Sequence, residues 1–145
     1  MAGIIDTNIL LYAANRDAEE HSAALGFLYE TANSQGPWFL TEGILYEFFR
    51  ITTHARAFER PLAWNEAFRF IKPFLASHRF DILVASQDHW AILEKVLGDL
   101  MHPAGNLFFD IRTVALMREH GIREIYTADP DFLQFKDIKV INPLK

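Results

Sequence analysis

Asp6 follows the apolar run Gly3-Ile4-Ile5 and precedes Thr7-Asn8-Ile9-Leu10-Leu11, so a carboxylate stands where a short buried strand gives way to a helical turn. In an open α/β sheet, ligands bind at that carboxyl edge of the strands, where helix N-termini also meet. Asp129 and Asp131, in Tyr126-Thr127-Ala128-Asp129-Pro130-Asp131-Phe132, follow an apolar run in the same way. Glu47 lies three residues from Ile44 and four from Ile51, which puts its carboxylate on the apolar stripe of a helical pattern. Asp110, in Asn106-Leu107-Phe108-Phe109-Asp110-Ile111, opens a further helix in line with Val114 and Met117. Each acid has an ordinary explanation: capping for Asp6, an ion pair with Arg50 for Glu47, dipole complementation for Asp110, and Asp-Pro turn chemistry for Asp129. Such explanations must be repeated for four residues, always where sites form, and the joint pattern predicts a site. Glu42 is the weaker candidate, since its separation of five residues from Glu47 turns it to another face.

Carboxylates gathered in one place repel and raise one another's pKa unless a cation neutralises them. An all-oxygen donor set suits a hard divalent ion, Mg²⁺ or Mn²⁺, rather than zinc or copper. Such ions serve phosphoryl chemistry by activating water and holding phosphate oxygens, so the predicted reaction is phosphodiester hydrolysis.

The elements that must position these acids alternate between strand and helix. A helical turn follows Asp6, with Thr7 or Asn8 as its cap, and Glu19 to Ala32 forms an amphipathic helix. Asn33-Ser34-Gln35-Gly36-Pro37 is a turn, Trp38 to Leu40 a second strand, and Thr41 caps a helix from Glu42 to about Thr53 that is apolar nearly all round. Pro61 opens a segment from Leu62 to about Ser77, which Pro73 is expected to kink or shorten. A strand from Phe80 to Ala85, a helix from Gln87 to Leu97 stopped by Gly98, and a helix from Phe108 to His120 closed by Gly121 come next. Strands from Glu124 to Thr127 and from Lys139 to Ile141 complete the pattern. The alternation predicts one α/β domain with a mostly parallel sheet covered by helices.

Half of the 145 residues are apolar, enough for a substantial core. With no cysteine, neither a disulfide framework nor a thiolate zinc site can form, which suits the cytosol. Asp6 interrupts the N-terminal apolar run, so neither a leader nor a membrane span is expected, and the chain reads as a soluble cytoplasmic protein. The seven glycines form neither a P-loop nor a dinucleotide turn. An aspartyl-phosphate hydrolase would place Asp-x-Asp after the opening strand, whereas Asn8 occupies the second place here. The net charge of −5 argues against holding nucleic acid through overall charge. From Arg50 to Arg79, however, six basic residues face two acidic ones, and Arg56 and Arg60 are the candidates for gripping phosphate.

Four motifs, in order, carry a family resemblance over essentially the whole chain: Ile5-Asp6-Thr7-Asn8-Ile9-Leu10, Tyr46-Glu47-Phe48-Phe49-Arg50-Ile51-Thr52, Phe109-Asp110-Ile111 with Arg118-Glu119-His120-Gly121, and Thr127-Ala128-Asp129-Pro130-Asp131-Phe132. The sequence resembles PIN-domain proteins, and among them the VapC-type toxins of bacterial and archaeal toxin-antitoxin pairs. The resemblance implies a PIN-like three-layer sandwich and a metal-dependent endoribonuclease whose acids correspond to Asp6, Glu47, Asp110 and Asp129. Mg²⁺ or Mn²⁺ would be held by Asp6, Asp110 and Asp129, directly or through water, with Glu47 as ligand or as base. Asp131 would assist, and Thr127 or Asn8 would orient ligands. It also implies a homodimer and a small antitoxin partner. Phe109 stands where such proteins often carry a histidine, and Pro130 stiffens the loop between Asp129 and Asp131, leaving open which of the two reaches the metal. The alternative is a PIN-fold protein that binds RNA or protein without cleaving.

Overall fold

Short runs of apolar and aromatic residues make five strands, β1 (Gly3–Ile5), β2 (Trp38–Thr41), β3 (Phe80–Leu83), β4 (Glu124–Tyr126) and β5 (Lys139–Ile141). In this computed structural model, which describes residues 3–145, they form one sheet of order β3-β2-β1-β4-β5 with every neighbouring pair parallel. Parallel strands need long crossovers, and six helices supply them: α1 (Thr7–Ala14), α2 (His21–Asn33), α3 (Glu42–Thr52), α4 (Trp64–Ala76), α5 (His89–Gly98) and α6 (Leu107–Glu119). Ile4 and Ile5 point to opposite faces of central β1, yet both are 0% exposed, so helices cover the sheet on both sides. The fold is the three-layer α/β arrangement expected from the alternation of elements.

From β1 the chain moves outward through β2 to β3, then returns to the other side of β1 for β4 and β5. Strand order therefore reverses between β1 and β4, and the crevice beyond their carboxyl ends is where such sheets bind ligands. Fully buried Trp38, Phe48 and Phe132 anchor the core. Phe27, Trp38 and Tyr126 pack with ring centroids 5.0–5.8 Å apart, joining α2 to the sheet, and Phe48 stacks on Phe70 at 5.3 Å to join α3 to α4.

Several boundaries differ from the sequence expectation for local reasons. Thr7 and Asn8 are not the N-cap of α1; Asp6 is, as its capping reading had it, because its carboxylate accepts the Thr7 N–H. Thr41 caps α3 as expected, accepting the Ile44 N–H at 3.0 Å. That helix is amphipathic rather than apolar all round: Phe48 is buried while Tyr46 is 71% exposed. The helix α4 begins at Trp64 instead of Leu62 and runs through Pro73 to Ala76. Gly98 is the last residue of α5 rather than its stop, whereas Gly121 follows α6 with φ 71°, a left-handed conformation that favours glycine. A 3₁₀ turn over Pro130–Gln134 follows Asp129, which caps it, in keeping with the Asp-Pro turn chemistry read from the sequence.

At the far end of α6, the Glu119 side chain, 0% exposed, accepts the Ser86 N–H and hydroxyl at 2.7 and 2.8 Å and meets His89 Nδ1 at 2.5 Å. Burial alone would raise its pKa, but these donors hold the carboxyl below the usual range. The loop before α5 is thereby tied to α6. Among the described residues no helix is long and apolar enough to cross a membrane.

Candidate active site

Asp6 continues β1 by donating its N–H to the Tyr126 carbonyl of β4 at 3.0 Å, which brings the two strand ends together. Its Oδ1 accepts the Thr7 N–H at 2.9 Å, and its Oδ2 accepts Asn8 Nδ2 at 3.1 Å and the Thr127 hydroxyl at 2.8 Å. Asn8 Nδ2 also donates to Thr127 Oγ1 at 2.9 Å, and Asn8 Oδ1 accepts the Ala128 N–H at 3.1 Å. Thr127 Oγ1 then accepts the Asp129 N–H, and Asp129 Oδ1 accepts the Asp131 N–H. Asn8 and Thr127 thus clasp the β1 and β4 ends and set the direction of Asp6 and of the Asp129 loop.

Glu47 enters this crevice from the middle of α3 and Asp110 from the first turn of α6, both partly buried. Asp6, Glu47 and Asp110 line one small cavity of about 30 Å³, with room for an ion or a water. Glu47 and Asp110 also line a neighbouring open cleft of about 600 Å³, together with Arg50, Asp129 and Asp131. Asp110, Asp129 and Asp131 can each offer a carboxylate oxygen so that the three lie within 4.8 Å of one another. Three convergent hard oxygens fit a small divalent cation. Asp6 stands deeper, outside that trio, with its oxygens engaged by the backbone, Asn8 and Thr127.

The electrostatics match this crowding. Burial pushes the Asp6 carboxyl up to about 6, with Glu47 and Asp129 adding to the rise and its Thr127 and Thr7 hydrogen bonds opposing it. Burial pushes Asp110 up to about 7, reinforced by Asp6, Asp129, Asp131 and Glu47. Burial likewise raises Glu47, while Arg50 opposes the shift. Among the described residues Glu47 and Arg50 form no ion pair, so pairing does not account for the acid's position.

Arg56 and Arg60, the expected phosphate contacts, are not brought to this crevice. The helix α3 ends at Thr52, and neither arginine of the following connection lines the crevice; Arg60 bonds Asp17 at 2.6 Å and lines a separate cavity of about 640 Å³ beside α1 and α4. Two other arginines border the acids: Arg50 in the open cleft and Arg112 at the small cavity. Sequence reasoning missed Arg112. Its signal was Gly43, a glycine inside a helix, which costs about 0.5–1 kcal/mol relative to alanine and calls for a reason such as close approach. A Cβ added at Gly43 would overlap Arg112 Nη1 and lie 3.4 Å from its Cζ.

With its parallel sheet and carboxylates gathered at the reversal of strand order, the chain matches the PIN domain over residues 4–138. It belongs to the PIN-domain family. Its relatives there include ribonuclease VapC33 of Mycobacterium tuberculosis, 32% identical over 98% of each chain. Ribonuclease VapC24 of the same organism is 33% identical, over 97% of this chain and 95% of the other. Similar folds among solved structures include VapBC2 from Rickettsia felis bound to a DNA fragment from their promoter, with a TM-score of 0.69, 16% identity and 98% of each chain covered. Another is VapC20 of Mycobacterium tuberculosis, a sarcin-ricin loop cleaving toxin, with a TM-score of 0.66, 18% identity, and 96% and 99% of the two chains covered.

Proposed function

We propose that this protein is a divalent-metal-dependent endoribonuclease and the toxin member of a toxin-antitoxin pair. The observation that carries the reading is the convergence of Asp6, Glu47, Asp110, Asp129 and Asp131 at the β1–β4 order reversal, in a chain whose relatives are named VapC ribonucleases. Asp110, Asp129 and Asp131 would hold Mg²⁺ or Mn²⁺, with Asp6 contributing directly or through water. When bound, the metal would stabilise charge on the phosphoryl oxygens and make water a better nucleophile. Glu47, partly buried and with a raised pKa, is positioned to accept the proton of the attacking water. Asn8 and Thr127 keep Asp6 and the Asp129 loop in register.

Purified protein incubated with end-labelled RNA should give internal cleavage products with Mn²⁺ and none with excess chelator. Products that persist at the same rate in chelator would refute metal dependence, and no products under either condition would refute the nuclease reading in favour of a binding role. The partner set inferred with this reading is a small antitoxin, an RNA substrate and a second copy of the chain. Light scattering of the isolated protein should report a dimer; a monomer at every micromolar concentration would remove that part.

A further inference from the structure

Building on the nuclease reading, we propose that Arg112 is an RNA-contacting residue of this site: its guanidinium, seated in the space left by Gly43, grips a phosphate of the bound strand. Arg112 is exposed, and among the described residues it makes no hydrogen bond and no ion pair. It nevertheless lines the same small cavity as Asp6, Glu47, Asp110 and Phe109. An unpaired cation at the border of several carboxylates has its donors available for an incoming anion, and a guanidinium presents them in the fork that matches phosphate oxygens.

Gly43 gives the second, independent observation. Nothing in the backbone requires glycine there, since its φ is not positive and it lies in the first turn of a capped helix. What an alanine methyl would meet is the tip of Arg112, together with Thr41 Oγ1 at 3.7 Å. The glycine therefore keeps open the place where the guanidinium lies against α3, and this holds the cation beside the acids. An acidic protein thereby gains a local positive contact at the point where a polyanion must approach a negatively charged crevice.

The test compares wild type with Arg112→Ala, Arg112→Lys and Gly43→Ala, measuring binding of a labelled pool of mixed-sequence single-stranded RNA at several salt concentrations, alongside cleavage with Mn²⁺. Arg112→Ala is expected to weaken binding about tenfold at low salt and to flatten the plot of log affinity against log salt by roughly 0.7. Arg112→Lys should recover the salt slope but only part of the affinity, because a point charge replaces the fork. Gly43→Ala, which keeps the charge but displaces it, should weaken RNA binding with no fall in melting temperature, since the displaced atoms are a flexible side-chain end and alanine favours the helix. A role confined to neutralising the carboxylates would instead alter the melting temperature or Mn²⁺ affinity and leave the salt slope unchanged. Wild type that cleaves while Arg112→Ala keeps the wild-type affinity and slope would overturn this proposal alone. Wild type that neither binds nor cleaves RNA would overturn the nuclease reading and this proposal with it.

Discussion

Asp110→Asn protein should lose RNA cleavage by at least about a hundredfold with saturating Mn²⁺, as expected when a carboxylate central to metal and proton chemistry becomes an amide. In the absence of metal, the same protein should melt at a higher temperature than wild type. Among the described residues Asp110 has no side-chain hydrogen bond that the amide would disturb, and its ionised form is opposed by burial and by Asp6, Asp129, Asp131 and Glu47. At pH 8 the relief is about 1 kcal/mol once solvent screening of a partly buried group is allowed for, or about 3 °C in a chain of this size. Asp6→Asn should be equally inactive without that gain. The Asp6 carboxylate accepts three donors, Thr7 N–H, Asn8 Nδ2 and Thr127 Oγ1, and an amide turns one accepting oxygen into a fourth donor. The contrast separates loss of charge from loss of structure. Cleavage by Asp110→Asn at the wild-type rate would remove Asp110 from the site.

Wild type held in chelator should become less stable as the pH rises from 5 to 7.5, by about 1.4 kcal/mol from Asp6 alone, and Mn²⁺ should reverse the loss. The sign follows from the folded pKa values, about 6 for Asp6 and about 7 for Asp110, both above the ordinary 3.8. Between these limits the folded chain binds more protons than the unfolded one. Stability is therefore complete below about pH 4 for these two groups and is lost as pH climbs through their folded values. Glu119 works in the opposite sense: its carboxyl is held low, so its contribution exists above the ordinary 4.5 and disappears on acidification. The metal-free protein should consequently be most stable between about pH 4 and 5, and its melting temperature should fall by about 5–10 °C on going to pH 7.5. Mn²⁺ at a hundred times its dissociation constant would restore about 2.7 kcal/mol at the higher pH. A melting temperature that stays flat or rises between pH 5 and 7.5 in chelator would mean the acids do not confront one another as described.

The acids could be picked out in the sequence because each sits at a punctuation mark of local structure. Asp6 and Asp129 follow β-branched or aromatic runs, Asp110 starts a helix, and Glu47 interrupts an apolar stripe; such signals need only neighbours in the chain. The alternation of elements likewise carried the parallel sheet. Less legible was anything decided by distant partners. Asp131 belongs to the closest trio of acids and Asp6 does not, because the turn at Pro130 and the grip of Asn8 and Thr127 set distances that spacing alone does not contain. Counting charges between Arg50 and Arg79 pointed to Arg56 and Arg60, but Asp17, far away in sequence, takes Arg60. Arg112 lies outside any basic run, and its place depends on a glycine in another helix. The buried Glu119–His89 contact was similarly hidden, since Glu119 reads as an ordinary polar residue at a helix end.

The clasp between Asp6 and Thr127 joins residues 121 positions apart. During synthesis at about 5–20 residues per second, roughly 6–24 s pass between the appearance of one partner and the other. Throughout that interval Asp6, Glu47 and Asp110 emerge without Thr127, Asp129 or Asp131, so a nascent chain holds an incomplete set of acids and lacks the strand end that aligns them. A protein that cuts RNA while being translated from RNA would endanger its own message and ribosome. The central position of β1, with β4 added beside it more than a hundred residues later, makes completion of the site wait until Thr127, Asp129 and Asp131 have been made.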